Sequence, residues 1–488
     1  MQTAKQNFYS FMGINRDVNP FLMKDSDLSL SINWYSRLVG SKKVRFGYTQ
    51  LLDRIDNYPV KNLIYYDLPS HKGLLRVSNS KIYKNNLTSL TWGSSVKSLS
   101  GDSVDWTVLD GSIPYLHLTN SVDGYMTFDG DTTFKSWSEA FTPKASTIAA
   151  WDSRIFADLN NRSLVQSAIS FDLNGGYTAD PFLIDNNDPS GGGSISADAG
   201  HNGSIVKITS SVDRIQVYKQ HGAYRYNGSN FMQIPFKGQI LSVATSKNQI
   251  DYILSSNGIS KNDGNSITPA DFGINNIIKD TFRVHGITDP VSFSLDQFTI
   301  FFIGTIRVER GREIIDIPNA CVVHDENIDV WDIWSLGHKM TCFGYYVDPD
   351  TNEEVLISGD NNGYTYKWGE QYASDNNVAI AYRLRTSYNA FSAPDASKYT
   401  DKFAFSMEDG QDSNVSVAIN YTDDYRYKQS LRPPFLTKEY LKGISSFMTL
   451  SFQIEGSTKD NRPEFNGYTL KYKDNENSPS EKSNSTRR

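Results

Sequence analysis

The chain reads as an all-β protein: a β-propeller of about six to eight blades, with a β-rich N-terminal segment before it and a C-terminal β-sandwich or barrel-like domain after it. Three observations predict this. Asn-Gly or Asp-Gly occurs at Asp110, Asp123, Asp129, Asn174, Asn202, Asn227, Asn257, Asp263, Asn362, Asp409 and Asn466, and these dipeptides suit tight hairpin turns because positive φ is easy for them. Aromatic residues make up 13% of the chain, mostly Tyr and Phe, which favour strands. Period-2 alternation recurs throughout, whereas helical periodicity is almost absent.

Residues 1–54 form the N-terminal extended segment. Gly13 and Pro20 argue against a helix, and Leu28, Leu30 and Ile32 alternate with Ser29 and Ser31 as a strand does. Between Lys5 and Arg45 lie seven Lys or Arg (Lys5, Arg16, Lys24, Arg37, Lys42, Lys43, Arg45) against three Asp (Asp17, Asp25, Asp27). This is either a basic patch or a solvated strand pair.

Residues 55–372 form the propeller. Units of about 25–45 residues repeat a style rather than a sequence. An apolar strand such as Leu74-Leu75-Arg76-Val77 is followed by a polar turn and then by Gly-x-x-Tyr or Gly-x-x-Lys, as in Gly363-Tyr364-Thr365-Tyr366 or Gly258-Ile259-Ser260-Lys261. The apolar strand is expected beside the axis. Stacked radially, such meanders hide both faces; a pair of β-sandwiches is the alternative. Asp185–Ser194 reads as a flexible surface loop. The last unit is the cleanest: Ile357-Ser358-Gly359-Asp360, a two-residue turn at Asn362-Gly363, then Tyr364, Tyr366 and Trp368 alternating with Thr365 and Lys367.

Residues 373–473 form the C-terminal β-domain, with strands at Val378–Thr386, Phe403–Met407, Val415–Ile419, Phe447–Ile454 and Tyr468–Tyr472. Residues 474–488 lack apolar side chains and are expected to be a flexible tail.

At 488 residues and net charge −7, no half of the chain is strongly basic, so groove-reading nucleic-acid binding is not suggested. Cys321 and Cys342 are too few for a disulfide framework and read as buried free thiols. No run approaches the roughly 18 apolar residues of a membrane span, and no apolar signal-peptide core follows Met1. Several Asn-x-Ser/Thr triplets, among them those at Asn86, Asn161, Asn227 and Asn420, carry little weight without one.

No catalytic template fits: GxSxG, HExxH and the P-loop are all missing. Asp348-Pro349-Asp350-Thr351-Asn352-Glu353-Glu354 is a carboxylate-rich loop that lacks EF-hand spacing and reads as an acidic hairpin loop. Ser358-x-Asp360-x-x-Gly363 to Trp368 nearly matches the Asp-box of sugar-cleaving propellers, but has extra residues and occurs once. Asp332 between Trp331 and Trp334 is a sugar platform or, in the plainer reading, inter-blade packing. Arg307, Arg310 and Arg312 sit in a mixed-charge hairpin. The expectation is no enzyme, with no catalytic, cofactor-binding or metal-binding residues.

The stretches Phe11-Met12-Gly13-Ile14-Asn15-Arg16-Asp17, Asn19-Pro20-Phe21-Leu22, Asn33-Trp34, Gly40 and Lys43-Val44-Arg45-Phe46-Gly47 resemble the N-termini of β-propeller tail proteins of tailed bacteriophages. These are the tail nozzle (tubular) proteins and the packaged-DNA stabilisation or head-completion proteins of short-tailed phages. Arg383-Leu384-Arg385-Thr386-Ser387-Tyr388, with Pro394 and Lys398 or Lys402, resembles their module after the propeller. The resemblance implies a structural virion protein made in the bacterial host cytoplasm. It implies a homo-oligomeric ring, usually a hexamer, that contacts adaptor, fibre or tail-tip proteins. The N-terminal segment and C-terminal domain would build the tube wall, and non-specific double-stranded DNA would occupy the lumen. A carbohydrate-binding or carbohydrate-cleaving propeller and a scaffold for protein partners are the alternatives.

Overall fold

The computed structural model describes residues 3–8, 11–18, 23–37, 40–87, 89, 91–109, 115–137, 143–159, 163–167, 182, 192–195, 201–310, 313–389, 397–409, 413–419, 427–430, 439–440 and 447–474. Pro20, Pro394 and the expected tail from 475 onward lie outside them.

Seven small antiparallel sheets succeed one another along the described chain. Blades 1 to 5 open on Val60–Leu68, Asp105–Leu109, Ile148–Trp151, Ile205–Ser211 and Ile240–Thr245, each followed by three more strands in sequence order. Blade 6 comprises Val291–Leu295, Phe298–Arg310, Glu313–Asp325 and Val330–Ser335, with a long central hairpin. Blade 7 takes Met340–Val347, Glu354–Asp360 and Thr365–Gly369 from the end of the array, and its fourth strand, Gly47–Leu52, from the N-terminal segment. From blade 2 onward the first strands of successive blades touch, Val60–Leu68 of blade 1 touches Tyr115–Asn120 of blade 2, and Met340–Val347 returns to touch Val60–Leu68, so the ring is closed. The fold is a seven-bladed propeller, with an N-terminal strand completing the last blade so that no open edge remains there.

Those contacts correct the expected strand order. The first strand of each blade lies beside the axis, and the continuous apolar runs belong to the second strand. The reason is packing on two sides. Leu75 and Val77 join the apolar cluster shared with blade 2, while Leu74 points the other way into the cluster shared with blade 7. A strand buried on both faces loses its polar alternation. Each neighbouring pair of blades encloses one such cluster.

Three further expectations change. Gly193–Ile195 is the fourth strand of blade 3, so Gly193 and Ser194 are not loop. The turn after Asp360 spans 361–364; Gly363 takes φ 88° while Asn362 is not left-handed, so this is not a two-residue turn. One α-helix, Asn275–His285, lies between blades 5 and 6. It packs Ile277 and Ile278 onto the blade 6 hairpin.

The remaining strands build a β-sandwich from both ends of the chain. One sheet holds Thr3–Phe8, Trp34–Ser36, Lys42–Val44, Lys398–Glu408, Glu439–Tyr440 and Glu464–Asp474. Opposite it, Leu28–Ile32 pairs with Val378–Thr386, followed by Leu450–Thr458, Asn414–Ile419 and Tyr427–Ser430. Between them lies a core of Phe11, Trp34, Leu384, Phe405, Phe452, Phe465 and Tyr468. The second sheet runs on into blade 6 through a single parallel bridge, Ile32 to Ile333.

Candidate functional site

Several of the residues that carry the sequence resemblance lie where sandwich and propeller join; residues 19–22 and Pro394 are outside the described residues. Asn33 sits at the kink between Leu28–Ile32 and Trp34–Ser36, with φ 62°. Asn tolerates this left-handed conformation better than most residues. Its backbone N–H donates to Ile333 O (2.8 Å) and its Nδ2 to Ala381 O (2.5 Å), while its Oδ1 accepts from Ser335 N (2.7 Å) and Arg45 Nε (2.9 Å). One side chain thus ties the N-terminal segment, blade 6 and the C-terminal strands.

Arg45, fully buried, completes the knot. It meets Asp375 as a fork (2.8 and 2.5 Å) and donates to Phe46 O (3.0 Å) and Ser335 O (2.8 Å). Bidentate geometry satisfies a buried guanidinium as no ammonium would. Burial alone would lower the Arg45 pKa, but Asp375 more than offsets this and the group stays charged. Two residues on, a Cβ at Gly47 would stand 2.0 Å from Ser374 O, so the chain passes there only without a side chain. At Gly13 a Cβ would meet the Trp331 backbone at 2.7 Å.

A second buried pair lies alongside. Lys42 Nζ donates to both oxygens of Asp332, at 2.8 and 3.0 Å. Burial raises the Asp332 carboxyl above its ordinary range, and Lys42 only partly counters this. Arg462 reaches in from the sandwich to Val44 O (3.0 Å), Glu370 (2.6 Å) and the Tyr35 hydroxyl (2.9 Å). Burial acts to raise the Glu370 carboxyl, yet the hydrogen bonds from Arg462 and Tyr35 hold it below its usual value. On the far side Arg385 forks onto Glu313 (2.5 and 3.1 Å) at the end of the blade 6 hairpin, and Gln453 shares it.

Asp17 accepts the N–H groups of Gly273, Asn275 and Asn276, and so caps the helix from the N-terminal segment. Arg16 donates to Glu309 O.

The basic surplus of the N-terminal segment is therefore not one patch: Lys5, Lys24 and Arg37 are exposed, while three others are taken up by partners within the fold. Lys42 and Arg45 are wholly buried counter-ions, and Arg16 is spent on the hairpin. Trp331 and Trp334 are buried too: Trp331 donates to Ala270 O (2.7 Å) and Trp334 to Trp34 O (3.2 Å). They pack between elements and leave no face for a sugar. Cys321 and Cys342 are buried free thiols whose pKa burial pushes up to about 12.

The near Asp-box is a turn brace. Asp360 accepts from Asn362 N (2.9 Å), Tyr364 N (2.8 Å) and Tyr366 OH (2.9 Å), and Ser358 accepts from Trp368 Nε1 (2.8 Å). The Asp348–Glu354 loop is a hairpin connection in which Asp348 N and Asn352 N donate to Glu353 O and Asp348 O. Arg307 pairs with Glu309 (2.5 Å); the side chains of Arg310 and Arg312 lie outside the described residues. Sequence reasoning missed Asp375 and Arg462, which carry no local signal: each is recognisable only through a partner far along the chain.

The ionisable groups described at the seam are taken up in ion pairs and hydrogen bonds with one another. The chemistry there is that of a closed ion network, which fixes two bodies against each other.

No family model matches the chain, and no curated protein does. Among solved structures, the extracellular domain of a hybrid two-component system from B. thetaiotaomicron is similar at TM-score 0.42 and 13% identity, over 66% of this chain and 39% of that one. BBS1N in complex with ARL6DN gives 0.43 and 9%, over 67% and 97%. The computationally designed Ika8 protein gives 0.40 and 10%, over 66% and 99%. The chain thus spans well under half the length of the first of these.

Proposed function

We propose that the protein is a structural subunit of a bacteriophage tail, a nozzle or hub protein that assembles as a homo-oligomeric ring in the virion. The ring forms or closes the DNA-conducting channel and helps retain and deliver the packaged genome. The supporting observation is the convergence of the resemblance residues on one seam. Asn33, Arg45 and Gly47 meet in the buried junction, Gly13 lies against Trp331 of blade 6, and Arg385 ties the C-terminal strands to the blade 6 hairpin on the far side. A loose pattern of Gly, Asn and Arg thereby acquires a physical meaning: it specifies how a propeller is fixed to a sandwich. A conduit under load from packed DNA needs such a joint. The mildly acidic composition suits a wall that does not grip phosphate.

Native mass measurement with negative-stain imaging tests the reading. A stable ring of about six copies is the expected result. A monomer that releases reducing sugar ends from host polysaccharide would overturn it in favour of a carbohydrate-cleaving propeller.

A further inference from the structure

The carboxylate-rich loop Asp348–Glu354 takes no part in the seam, yet it walls a groove of about 490 Å³ between blades 6 and 7. The floor is aromatic. Phe46 lies 6.1 Å from Phe298 and 6.3 Å from Trp368, centroid to centroid, and Phe298 is only half-buried. The lining carries five carboxylates and one ammonium, that of Lys367.

These acids are not equivalent. Lys247 clasps Asp296 (2.7 Å) and Glu354 (2.8 Å), and Arg462 holds Glu370 (2.6 Å). Asp348 and Glu353 differ: among the described residues no Lys or Arg pairs with either. Among the described residues the Asp348 carboxylate accepts only from Asp350 N (2.9 Å) and Tyr346 OH (3.4 Å), both within its own hairpin. The groove thus has a half-open apolar floor beside two uncompensated negative charges.

That combination selects its occupant. A phosphate backbone would be repelled by the carboxylates. Among the described residues no His, Cys, Asp or Glu group is gathered closely enough to hold a metal ion. Strand addition is closed off, because Gly47–Leu52 already pairs with Thr365–Gly369. A cationic side chain is matched twice over, by the carboxylates and by the ring faces.

We propose that this groove docks a basic, extended peptide segment of a partner protein, with one aromatic or aliphatic side chain on the Phe298 floor and a flanking lysine or arginine against Asp348 and Glu353. The inference stands independently of the phage reading.

The test is calorimetric titration of the full chain with a blocked synthetic peptide, lysine–lysine–phenylalanine–lysine–lysine, at low ionic strength. Saturable one-to-one binding is expected, weakening with salt. Asp348→Asn combined with Glu353→Gln should weaken it roughly tenfold. Both side chains sit on a surface hairpin, so the fold should persist, as an unchanged melting temperature would show. A glutamate-for-lysine version of the peptide should not bind. Lack of binding at about 1 mM peptide, or equal binding by the double variant, would overturn the proposal.

Discussion

Blade and seam solve the same problem by opposite means. Each blade packs on the next through an apolar cluster, and its own strands, the closing strand of blade 7 apart, follow one another in sequence order. The seam joins residues about 290 to 430 positions apart, through buried charges. Apolar contacts are interchangeable, and the blades share a pattern rather than a sequence. A buried ion pair accepts one partner in one geometry, so the seam fixes a unique orientation between two bodies that apolar packing alone would hold less exclusively.

Breaking the seam should cost more than any single change in a blade turn. Asp375→Ala leaves Arg45 buried and unpaired, and a loss of about 3–5 kcal/mol is expected in urea denaturation. Replacing both partners of the neighbouring pair, Lys42→Met with Asp332→Leu, should cost less than Asp332→Ala alone, since no charge is then stranded. Gly47→Ala comes next, at about 1–3 kcal/mol or more. The added methyl collides with the Ser374 backbone and disturbs the strand that closes the ring.

The blade side of the comparison is sharpened by Asp360→Ala, which removes three hydrogen bonds from one turn and should cost about 1–3 kcal/mol.

Blade 2 adds a pH signature. Burial lowers the His117 pKa to about 3, and its Nδ1 lies 2.6 Å from the Tyr125 hydroxyl. The imidazole stays neutral in the folded state. Stability is therefore fully present above the ordinary value of 6.5. It is lost as pH falls toward 3, at up to about 1.4 kcal/mol per pH unit from this one group. His117→Gln should flatten that part of the profile of urea midpoint against pH.

Least affected should be Asp348→Asn, whose stability change is expected within about 0.5 kcal/mol.

Much of the propeller was readable because its signals are local. Where the glycine of an Asn-Gly or Asp-Gly dipeptide lies within the described residues, it takes positive φ in every case, from Gly124 to Gly467. The axis order was misread because an apolar run reports burial on both faces without saying which neighbours cover it. The helix at Asn275–His285 was missed for a related reason: Ile274 stands at its N-cap position, and its cap, Asp17, comes from the other end of the chain. Arg45 and Asn33 were visible as parts of a pattern, but not as parts of a contact. The packing of Trp331 and Trp334 around Asp332 was legible, but the pairing of Asp332 with Lys42 was not, since charge and aromaticity in sequence do not reveal a partner on another sheet.

The central claim is that the seam makes propeller and sandwich one mechanical unit. Differential scanning calorimetry of the full chain tests it most directly. A single transition is predicted, with calorimetric and van't Hoff enthalpies in agreement, splitting into two in Asp375→Ala. Two separate transitions in the unaltered protein would contradict it.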